Sequence, residues 1–379
     1  MLIVQVVFVL PILLFGMFAE DFLFYVFLSA SFLGGNLVAF FSYLAQATSQ
    51  FKIFSYYHLL GSFVSLLCTL AALIFRVSWF YYFIALDVLI KYIEFAILFR
   101  KLNFRASVGL ATIFSKRNWL IAWKGFIIYF GNFSSVLFYS MDRWFVKILL
   151  RTEDFAFYSF ATSMMGMVMI LVSSVAMTFY PMLARRQEEE GLLRSLKSYL
   201  MIIGSFAGAA YFGFDLIVNW ILRDYLSSLE VIAILFAGFP AIAVINAIYV
   251  NMYKAQKTEK KYFFTVFGMV AVSFGLNALA VVINRSNWTI AAATTIAFYF
   301  WFFFSSKDFK GAKTNLREIA YLSAFLIVFF STTRLLPWWL GLPLYLAGIF
   351  GITLLFYKKE FFELISKVSG ALVRKTRGV

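Results

Sequence analysis

The 379 residues predict an all-α integral membrane protein with about twelve transmembrane helices. Three observations carry this. Hydrophobic residues make up 63% of the chain and charged residues 13%, about half the charged share of a soluble domain. The apolar residues fall in runs long enough to cross a ~30 Å hydrocarbon core as helices. The basic residues fall mainly in alternate loops between those runs, as the positive-inside rule requires.

The elements follow in order. The first run, 1–18, has no positively charged leading segment and continues into a second run at 22–45, so it reads as a span and not a cleaved signal. Lys52 follows span 2, and span 3, 55–75, ends at Arg76. Span 4, 80–99, precedes Arg100, Lys101, Arg105, Lys116 and Arg117. Span 5, 119–141, ends at Asp142 and Arg143, with Lys147 and Arg151 beyond. Span 6, 155–180, precedes the loop residues Arg185, Arg186, Arg194 and Lys197, and span 7, 197–220, precedes Arg223. Span 8, 229–252, is followed by Lys254, Lys257, Lys260 and Lys261; span 9, 262–284, by Arg285; span 10, 287–305, by Lys307, Lys310, Lys313 and Arg317. Span 11, 319–335, carries Arg334 at its end, and span 12, 338–357, precedes Lys358 and Lys359. The runs are too long and too continuously apolar for transmembrane β-strands, which are ~10-residue alternating segments.

Of the 33 Lys and Arg residues, 24 follow even-numbered spans, seven follow odd-numbered spans, and Lys91 and Lys124 lie inside spans. That asymmetry predicts cytoplasmic termini. It also accounts for the net charge of +15 as topology and contact with anionic headgroups, with no nucleic-acid partner. The predicted outward loops are short, so function falls to the helix bundle. Trp79, Trp144, Trp220, Trp288, Trp338 and Trp339 fall at predicted outer ends, as an aromatic belt does. The segments 185–199 and 361–373 read as amphipathic surface helices.

One segment repeats at an offset of 210. Asn36–Phe54 and Asn246–Phe264 share Asn36/Asn246, Tyr43/Tyr253, Ala45/Ala255, Gln46/Gln256, Thr48/Thr258 and Phe54/Phe264. The offset also lays spans 8–10 over spans 2–4. A six-helix repeat gives two bundles of the same orientation, with a substrate site between them near the midplane. The organisation predicted is an incomplete first bundle at 1–118, short of about two helices, a second bundle at 119–311, and two further spans with a basic tail at 312–379.

Charged groups inside the bilayer are costly and face protein or water. Asp87, Lys91 and Glu94 lie on one narrow face of span 4. They read either as a self-neutralising ladder between helices, or as a polar face of a central cavity where a carboxylate binds H⁺ or Na⁺ and Lys91 meets an anion. Lys124 reads as a snorkelling residue or as part of that pathway. Arg143, Lys147 and Arg151 read as an interfacial anchor paired with Asp142, Glu153 and Asp154, or as an attractor of a pyrophosphate group. His58 reads as an interfacial residue ahead of a proton relay. A single Cys and a single His exclude an internal disulfide and a His-cluster metal site, and no cofactor is expected.

Several local patterns resemble one family. Ser140-Met141-Asp142-Arg143-Trp144-Phe145-Val146 is similar to the end of the first helix of the second bundle in Wzx-type polysaccharide flippases. Phe155-Ala156-Phe157-Tyr158-Ser159-Phe160-Ala161 and Phe179-Tyr180-Pro181-Met182-Leu183-Ala184-Arg185 resemble the start and end of the next helix, and Leu44-Ala45-Gln46-Ala47 with Phe51-Lys52 resembles a helix–loop of the first bundle. The wider group is the multidrug/oligosaccharidyl-lipid/polysaccharide exporter superfamily. The resemblance implies a non-enzymatic carrier of polyprenyl-diphosphate-linked oligosaccharide repeat units across the bacterial inner membrane, with membrane lipids, a polysaccharide polymerase and chain-length proteins as partners. Two alternatives stand beside it. Lys91 counts against a cation-coupled multidrug exporter, and the short outward loops and isolated His58 count against a membrane-embedded sugar polymerase or acyltransferase.

Overall fold

Helices occupy each of the twelve stretches the apolar pattern predicts. The structure, a computed structural model, describes residues 2–48, 50–77, 79–101, 116–185, 189–256 and 258–376; within these, the side chains of 2–8, 46–47, 116–122, 124–132, 175–182, 184–185, 259 and 367–376 are left aside. Among the described residues no strand occurs, and eight helices are long and apolar enough to cross a membrane, or nine if one bent pair forms a single span. The chain divides into two compact units, Met1–Ile113 and Phe114–Val379.

The first unit holds α1 (Leu2–Met17), α2 (Phe22–Thr48), α3 (Phe51–Ile74) and α4 (Phe80–Lys101). Asp21 starts α2 by accepting from the Phe24 amide at 3.2 Å and also accepts from the Tyr81 hydroxyl at the start of α4. Arg76 turns the chain between α3 and α4 at φ 51°, so the two run antiparallel. α4 carries three charged residues near its middle, Asp87, Lys91 and Glu94. α3 exposes a long apolar face, including Leu59, Phe63, Leu67, Leu70 and Ile74. An exposed apolar surface of this length suits lipid and not water.

The second unit holds α5 (Lys116–Leu149), α6 (Thr152–Arg185), α7 (Glu190–Ala207), α8 (Ala210–Trp220), α9 (Ser228–Phe236), α10 (Phe239–Val244), α11 (Val250–Ala255), α12 (Glu259–Ile283), α13 (Asn287–Ser306), α14 (Leu316–Leu335) and α15 (Trp338–Thr376). A five-residue π turn, Ile245–Tyr249, joins α10 to α11. The C-terminal pair α14 and α15 packs within this unit, α15 against α7 and α8.

Two sequence expectations change here. The 185–199 segment is not a surface helix: α7 begins at Glu190, and Leu193, Leu196, Lys197, Ser198 and Tyr199 are buried. Lys197, assigned above to a loop, is fully buried and paired with Glu318 at 2.6 Å. It also donates to the Ala312 carbonyl at 2.8 Å and the Thr314 hydroxyl at 3.2 Å, over the Phe302 ring. Apolar neighbours on α7 turn the helix inward, and the ammonium follows because a carboxylate and a carbonyl await it. Span 8 is broken, with α9 and the α10–α11 segment meeting at 48°. Pro240 has no amide to offer the Phe236 carbonyl one turn before it, and the Gly238 amide bonds Leu235 in place of Ile234. The Thr295 and Tyr299 hydroxyls, one turn apart on α13, donate to the Ile234 and Ala237 carbonyls at 2.8 and 2.7 Å. α7 approaches the break through Gly204, where a methyl group would lie 2.7 Å from the Pro240 Cα. α15 runs past Lys358, kinked at Tyr357 (φ −135°, ψ 35°), so 361–373 continues that helix after the kink.

In the first repeat copy α2 ends at Thr48 and α3 starts at Phe51, and in the second α11 ends at Ala255 and α12 starts at Glu259, so the two helix breaks lie two to three residues out of register at the offset of 210. The interiors of the two copies differ. α2 is continuous across Leu28 and Ala30, which align with Gly238 and Pro240. Tyr43 is exposed, whereas Tyr253 is buried and donates to Asp308, which also pairs with Lys261 at 2.8 Å.

Candidate functional site

In the first unit the three charged residues of α4 divide between two neighbours. Lys91 Nζ donates to Asp87 at 2.6 Å and to the Ser31 hydroxyl of α2 at 3.1 Å, and Ser31 donates to Asp87 at 2.8 Å. The triangle neutralises itself and remains half-exposed. Gly34 and Gly35 of α2 give Lys91 room: a methyl group on Gly34 would lie 3.2 Å from its Cβ. Glu94, one turn on, does not join it. Its side chain is buried, 6% exposed, and its Oε1 lies 2.9 Å from His58 Nδ1 on α3. The His58 ring stacks on Phe54 and is 52% exposed. Beside the pair runs an apolar groove of about 110 Å³ lined by Tyr57, Leu60, Gly61, Val64, Ile90, Ile93, Glu94 and Ile97.

In the second unit, Asp142 is withdrawn from its basic neighbours. Its carboxylate is buried, accepts from the Tyr158 hydroxyl of α6 at 2.7 Å, and accepts from the Arg143 amide at 2.7 Å. Thr294 of α13 lies beside both acidic groups. Asp142 and Thr294 face a cavity of about 210 Å³ with Tyr139, Thr162, Met165 and Phe298 on its walls and Arg143 also lining it. The volume suits an ion, waters or a small polar group and falls below the ~300 Å³ of a drug-sized pocket. Tyr139 reaches the π turn by donating to Asn246 at 3.2 Å. π turns recur at functional sites because they displace one residue from the regular helical ladder.

Arg143 also borders a second, more open pocket of about 320 Å³, shared with Ser140, Trp144, Lys147 and Phe155. Lys147 sits over the Phe155 ring at 5.8 Å. Among the described residues, no ion pair joins Asp142 to Arg143 or Lys147, while Arg151 pairs with Glu153 at 3.6 Å. The two basic residues one turn apart therefore share a pocket without a carboxylate between them. Lys124 lies in the stretch of α5 whose side chains fall outside the described residues.

Reading the sequence brought Asp87 and Lys91 together correctly but missed Ser31, the link from Glu94 to His58, and Tyr158. Two of these carried a signal. His58 and Glu94 are each eighteen residues from Arg76, the turn between antiparallel α3 and α4. Asp142 and Tyr158 are each eight residues from Leu150, at the turn between α5 and α6. Equal distances from a tight hairpin turn place side chains at equal depth.

No family model, curated protein or solved structure matches this chain.

Proposed function

We propose that this protein carries lipid-linked oligosaccharide repeat units, joined to a polyprenyl chain through a diphosphate, across the bacterial inner membrane. The observation that carries this reading is the pocket where Arg143 and Lys147 meet beside Trp144 and Phe155. Like charges one helical turn apart repel, and an anion between them relieves the repulsion. A guanidinium matches a phosphate with two parallel hydrogen bonds, and an ammonium adds a point charge. The Asp87–Lys91–Ser31 triangle offers donors and acceptors suited to sugar hydroxyls. The resemblance to Wzx-type flippases chooses among anionic amphiphiles.

On this reading the chain forms twelve spans in two like-oriented bundles with both termini in the cytoplasm. The sugar head crosses through a hydrated path while the polyprenyl tail stays in the bilayer, and the bundles alternate access. A polysaccharide polymerase and chain-length proteins receive the product.

The test is reconstitution of the full chain in proteoliposomes containing a polyprenyl-diphosphate-linked oligosaccharide, with the externally accessible sugar followed over time. Replacing Arg143 and Lys147 by Ala is expected to slow translocation at least about tenfold, the scale of one lost charge-assisted hydrogen bond. Unchanged translocation removes the pocket from the pathway. Complementation of a flippase-deficient strain by Lys91→Ala and Asp87→Asn tests the triangle, and wild-type transport by both removes it.

A further inference from the structure

The acid–base pair in the first unit has a different character from the triangle beside it. Glu94 is buried, with a single imidazole as its hydrogen-bonding neighbour and aliphatic side chains around the rest of its groove. Gly61 leaves open the space by its second oxygen, Oε2, which would lie 3.5 Å from a methyl group there. A hard metal cation is held by roughly six oxygens, and this groove supplies the Glu94 carboxylate and the Tyr57 hydroxyl. A proton needs one oxygen. His58 spans the buried and open sides, with Nδ1 on the carboxylate and the ring half-exposed. Tyr57 of α3 lines the same groove, and on α4 Asp87 and Lys91 are engaged with each other and with Ser31. α2 carries no charged residue.

From this geometry we propose that Glu94 and His58 form a proton-binding dyad. In the unloaded pair the neutral imidazole donates Nδ1–H to the Glu94 carboxylate and leaves Nε2 with a free lone pair. A proton from the aqueous side adds to Nε2, and the proton already on Nδ1 is shared with Oε1. The dyad gains one proton and passes from a net charge of −1 to zero. A neutral pair is far cheaper in a low-dielectric setting than a charged one, so loading changes the cost of moving α3 and α4 between wet and dry surroundings. That names the coupling ion as H⁺; the coupling role rests on the transport reading above, whereas the dyad stands without it.

The only histidine in the chain makes the test unambiguous. The full-length protein, labelled with ¹⁵N-histidine and held in lipid nanodiscs, is titrated by NMR between about pH 5 and 9, the window in which imidazole changes charge. The expected spectrum keeps Nδ1 protonated throughout while Nε2 alone gains its proton. A neutral ring protonated at Nε2 and bare at Nδ1 overturns the dyad. The measurement uses the natural chain, so it does not depend on a variant folding. In proteoliposomes that translocate lipid-linked oligosaccharide, an imposed pH gradient is expected to accelerate the wild type and not Glu94→Gln. Equal gradient responses overturn the coupling role. A wild type that binds the proton but translocates nothing sinks the transport reading and leaves the dyad.

Discussion

The Lys197–Glu318 pair sets the sharpest energetic expectation in the second unit. Both side chains are buried, at 0% and 3% exposure, and 2.6 Å apart, so solvent screening does little to soften the loss of either. Glu318 is positioned by the Asn315 cap, whose side chain accepts from the Glu318 amide at 2.8 Å. Glu318→Ala would leave the ammonium facing only the Ala312 carbonyl, the Thr314 hydroxyl and the Phe302 ring. Removing one partner of a buried pair costs about 3–5 kcal/mol, equivalent to about two to four decades in the unfolding equilibrium. Replacing both partners, as Lys197→Met with Glu318→Leu, removes the stranded charge and is expected to recover to within about 1 kcal/mol of wild type. The assay is equilibrium unfolding in mixed micelles with rising dodecyl sulfate, followed by tryptophan fluorescence. A loss below about 1 kcal/mol for Glu318→Ala, the scale of an exposed pair, refutes the reasoning, as does a double replacement no better than the single one.

Three further expectations follow from the same unit and are read by the same unfolding assay. Thr295→Val and Tyr299→Phe each strip a hydroxyl from a carbonyl at the helix break and are expected to cost about 1–3 kcal/mol; neutrality of both would mean that other donors serve those carbonyls. Gly204→Ala places a methyl group 2.7 Å from the Pro240 Cα and is expected to lose about 1–3 kcal/mol by overpacking, whereas Gly213→Ala, with open space around it, is expected to be tolerated. Tyr158→Phe removes the phenol that donates to buried Asp142 and is expected to cost about 1.5–3 kcal/mol, most of it recovered when Asp142→Asn is added; no recovery would show that the phenol, and not the carboxylate it serves, is the stabilising group.

Helical class and element positions were legible in the sequence because apolar runs the length of a bilayer have one solution: every backbone amide must be satisfied within its own segment. Asp87 and Lys91 were legible because i,i+4 spacing is a property of one helix. Partners on other helices were not legible in this way. Glu94 belongs with His58 and Asp142 with Tyr158 because antiparallel hairpins bring distant positions to one depth, and only packing reveals which faces meet. Lys197 shows the same limit: it reads as one more loop lysine until α7 turns inward and meets Glu318, 121 residues away. Local spacing dictates which residues share a helix, whereas the burial of each charge depends on what the next helix supplies to neutralise it.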